Sequence, residues 1–120
     1  MPSSIIVLLV EDEPLIRMEI ADDLNDRGFE VIEAGNAHDA ILILESRSDV
    51  QVLFTDIDMP GRMNGLMLAA HTHAQWPLVK IIVTSGLRSV SINDMPPKSR
   101  FMGKPYVPNS IAAAMVDIIG

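Results

Sequence analysis

The chain has 120 residues, enough for one domain with a buried core and too few for a second catalytic or DNA-binding domain. With 48% hydrophobic and 21% charged residues it is not a disordered chain, and with no cysteine it has neither disulfides nor thiolate metal sites, so the cytoplasm is the expected compartment. The net charge of -7 divides into -11 on residues 1–60 and +4 on residues 61–120, a balance that disfavours direct contact with nucleic acid and favours a cation site in the first half.

Ile5 to Val10 is a continuous aliphatic run, as expected of a central strand buried on both faces. It has no basic leader or small-residue cleavage site, and acids follow it at once, so it is expected to be a buried strand rather than a signal peptide; nothing elsewhere has the length of a membrane span. Pro14 suits a first helical turn, Leu15, Ile16, Ile20 and Leu24 form a stripe, and Gly28 ends that helix. Glu30 to Ala34 reads as an edge strand. Asn36 caps a second helix, with Asp39 in its first turn and Ala40, Ile41 and Leu44 facing inward.

Val52 to Thr55 is a third strand, and a helix from about Gly65 to Gln75 stops before Trp76-Pro77, because the residue preceding a proline is pushed out of helical geometry. Lys80 to Thr84 is a fourth strand. The segment 87–99 contains Pro96-Pro97 and no clear period, so at most one helical turn is expected there. Arg100 to Gly103 is the weakest strand, and a last helix follows Pro108-Asn109 to Ile119. Strands alternating with helices indicate an α/β fold with a parallel sheet covered on both faces, as a single domain over 1–120 without repeats.

Glu11, Asp12 and Glu13 directly follow the first strand, and Asp56 and Asp58 stand at the end of the third. Ligands of open parallel sheets bind beyond the carboxyl ends of the strands, so neighbouring strands would make these acids converge. Two carboxylates about 5 Å apart repel by roughly 3 kcal/mol at an effective dielectric of about 20. A hard cation relieves this, and Mg²⁺ suits a site that must also leave positions open for phosphate oxygens. Chance clustering of surface acids is the bland alternative. Thr84-Ser85-Gly86 and Lys104-Pro105 close two further strands, adding a hydroxyl, a small residue and a cation at the same edge, which is the set that phosphoryl transfer onto a carboxylate needs.

VLLVEDEPLI, FTDIDMPGRMNGL, IIVTSG and FMGKPY, in that order across nearly the whole chain, resemble the receiver domains of two-component response regulators. The resemblance implies a flavodoxin-like, doubly wound, five-stranded parallel sheet in the order 2-1-3-4-5. It implies that Asp56 is the phosphoacceptor, that Asp12 binds Mg²⁺ directly and Glu11 through water, and that Asp58 lends the metal its backbone carbonyl. Ser85 matches the switch hydroxyl, Lys104 the lysine that contacts phosphoryl oxygens, and Phe101 the aromatic that turns inward on switching, with Tyr106 left to packing. The implied donor is a phosphohistidine on a sensor histidine kinase or histidine phosphotransfer protein, and the chain, not a classical enzyme, would catalyse its own phosphorylation and dephosphorylation. It would be a monomer or a homodimer formed on phosphorylation, and Met1 together with a final helix ending at Gly120 points to a stand-alone regulator.

Three departures from the family pattern are visible. Glu11 stands where Asp is commoner, the loop Gly61 to Gly65 is one residue longer, and the stretch after Ser85 offers little for the family's fourth helix, which is therefore expected to be short or irregular. Two other functions compete. A DxD such as Asp56-Ile57-Asp58 also opens haloacid-dehalogenase-like phosphatases, although there it usually sits on the first strand and would leave Glu11 and Asp12 unexplained. A receiver-shaped interaction module that works without phosphorylation is the other. His38, His71 and His73 read as ordinary helix residues, the eight methionines as core filling, and Trp76 as a cover for its helix end.

Overall fold

The computed structural model describes residues 4–86, 95–104 and 108–120, with the side chain of Pro108 left out. The described elements run β1 (Ile6–Val10), α1 (Pro14–Asp26), β2 (Glu30–Ala34), α2 (Ala37–Ser46), β3 (Val52–Asp56), α3 (Gly65–Gln75), β4 (Lys80–Ser85), β5 (Arg100–Gly103) and α4 (Pro108–Ile119). The five strands form one parallel sheet in the order β2-β1-β3-β4-β5, as expected. The strands are the apolar runs, because β1 and β3 lie in the middle of the sheet and every residue of β3 is buried.

Side chains alternate across the sheet, and each face is covered by its own helices. Leu8, Val10, Leu53, Ile81 and Val83 point toward α2 and α3, where Ala40, Leu44, Leu68 and Ala69 close one core. Val7, Leu9, Val52, Phe54 and Ile82 point the other way and meet Ile20, Ala21 and Leu24 of α1 and Ile111, Ala114 and Met115 of α4. Asn36 caps α2 by accepting the Asp39 N–H at 2.8 Å, and Asn64 caps α3 by accepting the Met67 N–H at 3.0 Å.

Several details differ from the sequence reading. The stripe on α1 is narrower, because Leu15 is 80% and Ile16 38% exposed. The inward position of that first turn belongs to Arg17, whose guanidinium reaches the Glu11 carbonyl at 2.8 Å and Glu33 at 3.2 Å. β3 and β4 each extend one residue further than expected, so Asp56 and Ser85 are held by the sheet rather than by loops. Met59 and Met115 fill the core, but Met18 and Met67 are about half exposed. Trp76 does terminate α3, and its ring makes a T-shaped contact with His71 at 5.9 Å between ring centres. The expectations for Tyr106 and for most of 87–99 fall outside the described residues; within 95–99 there is a turn and no helix.

Gly65 starts α3 directly behind the end of β3, where a Cβ would lie 2.0 Å from the Asp56 carbonyl oxygen. Gly65→Ala is therefore expected to push α3 off the strand and lower the unfolding free energy by about 2 kcal/mol, measured by urea denaturation. Among the described residues, the buried hydroxyl of Thr84 meets no hydrogen-bond partner. Thr84→Val should raise stability by about 1 kcal/mol in the same assay, because it removes an unsatisfied polar group without changing shape.

Candidate phosphoacceptor site

β1 and β3 are neighbours on which the chain order reverses, with Val10 opposite Thr55. That register puts Glu11, the next residue after β1, beside Asp56 at the end of β3. One carboxylate oxygen from each of Glu11, Asp12 and Asp56 lies within 4.8 Å of the others, a grouping that can hold a metal ion. Glu11 and Asp56 are only 2% and 6% exposed, so their charges cannot be left to water.

Lys104, one residue past β5, supplies the opposing charge. Its Nζ donates to Asp56 Oδ2 at 3.1 Å and to Glu11 Oε1 at 3.2 Å. Its stem crosses Gly86, where a Cβ would stand 3.2 Å from Lys104 Cβ, so the small residue at the end of β4 leaves the lysine its path. The second oxygens are engaged by the main chain: Glu11 Oε2 accepts the Glu13 N–H at 3.1 Å, and Asp56 Oδ1 accepts the Asp58 N–H at 3.3 Å.

Ser85 is 2% exposed on the far side of Asp56 from β1, and its hydroxyl donates to Asp58 Oδ2 at 2.7 Å. Gly103 pairs with Ser85 and Phe101 with Val83, so Phe101 shares a sheet face with Ser85, one step below it. Phe101 is half-buried and packs against the core under α2 and α3.

Two participants were missed in the sequence. Arg17 fixes the carbonyl of Glu11, yet an arginine on an amphipathic helix carries no signal of that role. The Asp58 carboxylate, as distinct from its carbonyl, meets Ser85 across 27 residues of sequence, a contact that no local pattern reveals.

Comparison with known proteins places this arrangement. The sequence model of the response regulator receiver domain matches residues 7–95. The chain belongs to the response regulator receiver family. This receiver is 28% identical to a chemotaxis protein CheY homologue of Campylobacter jejuni, over 95% of this chain and 92% of that one. It is 30% identical to the sensor kinase CckA of Brucella abortus over 94% of this chain, but spans only 12% of that kinase. A response regulator receiver protein from Sinorhizobium medicae superimposes with a TM-score of 0.90 at 23% identity, covering 97% of this receiver and 94% of that chain. These relatives do not favour the phosphatase reading. Among the described residues, no helix of the receiver is long and apolar enough to cross a membrane.

Burial pushes the Glu11 carboxyl above the 4.5 of a free glutamate, and the Asp12 and Asp56 carboxyls push the same way, against the Glu13 N–H and Lys104. Burial alone would pull the Lys104 ammonium down, but the hydrogen bonds and charges of Asp56 and Glu11 outweigh it and raise it. An acid whose pKa is raised by folding contributes stability that is complete below its unfolded value and lost as pH rises through the folded value. Stability measured by denaturation should therefore carry a component that falls as pH rises above about 4.5. Subtracting the curve of Glu11→Gln from that of the wild type isolates this component; equal slopes above that pH would contradict it.

Proposed function

We propose that Asp56 accepts a phosphoryl group from a phosphohistidine of a sensor histidine kinase or histidine phosphotransfer protein. The observation that carries this reading is the buried Asp56 carboxylate at the strand-order reversal, 3.1 Å from the Lys104 ammonium and grouped with Glu11 and Asp12. An Asp56 oxygen attacks phosphorus in line; the new P–O bond forms as the P–N bond to imidazole breaks, and the nitrogen keeps that electron pair. The Lys104 ammonium and the Ser85 hydroxyl then face the oxygens of the acyl phosphate, which water later hydrolyses to restore the carboxylate.

The donor set is all oxygen, which suits Mg²⁺. Asp12, Asp56 and the Asp58 carbonyl are the residues to hold it, and Glu11 would act through water, in keeping with its two oxygens already accepting from Glu13 and Lys104. When bound, Mg²⁺ would supply positive charge that offsets the repulsion between the Asp56 carboxylate and an incoming phosphoryl group. Movement of Ser85 toward these oxygens frees space for Phe101 to turn inward, the output step of the switch. On this reading residues 1–120 work as one cytoplasmic receiver, a monomer or a homodimer formed on phosphorylation, that signals through protein contacts without touching nucleic acid.

Intact mass after incubation with acetyl phosphate tests the assignment. Wild type should gain one phosphoryl group only with Mg²⁺ present, and Asp56→Asn should gain none; a gain that persists in Asp56→Asn overturns the choice of nucleophile.

A further inference from the structure

We infer that the Asp58 carboxylate is a positioning residue that holds the Ser85 hydroxyl in the unphosphorylated arrangement and so sets how readily the receiver switches. The inference rests on the reading of Asp56 as phosphoacceptor. Ser85 Oγ donates to Asp58 Oδ2 at 2.7 Å, the ordinary length of a well-formed hydroxyl hydrogen bond.

A serine hydroxyl has a single proton. While it is donated to Asp58 it cannot be donated to an oxygen of a phosphoryl group on Asp56. The two acceptors therefore compete for one donor, and Ser85, 2% exposed, has little access to water as a substitute. Asp58 touches both sides of the exchange, since its N–H donates to Asp56 Oδ1 at 3.3 Å while its side chain accepts from Ser85. Losing the carboxylate leaves the hydroxyl without this rival acceptor and shifts the balance toward the phosphorylated arrangement. A hydrogen bond to a charged group is worth about tenfold or more in such an equilibrium.

Removing Asp58 also removes a negative charge near an anion site, and that effect must be separated from the competition for the proton. A double-mutant cycle does so. Beryllium fluoride, a phosphoryl mimic, is titrated by calorimetry at saturating Mg²⁺ into wild type, Asp58→Ala, Ser85→Ala and the double variant, with Asp58→Asn as a neutral variant that keeps an acceptor oxygen. Asp58→Ala should tighten binding about tenfold in the wild-type background and less than about twofold in the Ser85→Ala background, with Asp58→Asn falling between wild type and Asp58→Ala. Equal tightening in both backgrounds, or none in the wild-type background, overturns the inference while leaving Asp56 as acceptor. Failure of all the proteins, wild type included, to bind beryllium fluoride overturns the phosphoacceptor reading itself.

Discussion

The Lys104 ammonium sits between two buried carboxylates, 3.2 Å from Glu11 and 3.1 Å from Asp56. Without it, acids at the ends of β1 and β3 would face each other across the sheet edge in a medium that screens poorly, at a cost of roughly 3 kcal/mol per pair about 5 Å apart. The ammonium comes from the end of β5, 93 residues after Glu11, so charge compensation ties the last strand to the first. Breaking a buried pair is costly because the partner is left uncompensated, which makes the site a constraint on the fold as well as its functional centre.

Strand register does the positioning. Val10 lies opposite Thr55, and Asp56 opposite Thr84, so residues that leave the sheet together reach one edge at one height. Two close approaches then shape that edge. Gly65 lets the start of α3 lie against the Asp56 backbone, and Gly86 lets the Lys104 stem pass over β4. Arg17 adds a third restraint by binding the Glu11 carbonyl from the first turn of α1, which ties the acidic loop to the helix that follows it. None of these contacts is chemical in purpose, yet each fixes the height or angle of a group that is.

The likeness to the Sinorhizobium medicae receiver, a TM-score of 0.90 at 23% identity, shows how loosely sequence is tied to this architecture. A doubly wound sheet asks for apolar residues that alternate between two cores, and many aliphatic combinations satisfy it. The acidic edge is less permissive, because each group there answers the charge of another. Glu11 illustrates the margin: one methylene longer than aspartate, it spans from the Glu13 N–H to Lys104 and remains buried.

Much of this was legible in the chain itself. Five apolar runs separated by helical patterns are enough for a parallel sheet, and Asn36, Pro14 and Trp76-Pro77 mark helix ends by local chemistry that needs no tertiary context. The candidate site residues were legible because acids, hydroxyl and lysine follow apolar strands, and strand ends of a parallel sheet share an edge. Tertiary structure alone decided which oxygen meets which proton. Lys104 chooses both Glu11 and Asp56, Ser85 finds the Asp58 carboxylate, and Arg17 binds the Glu11 carbonyl while Leu15 is left exposed. Periodicity is a property of neighbours along the chain, whereas these contacts depend on distances between strands and helices that exist only once the two cores have packed.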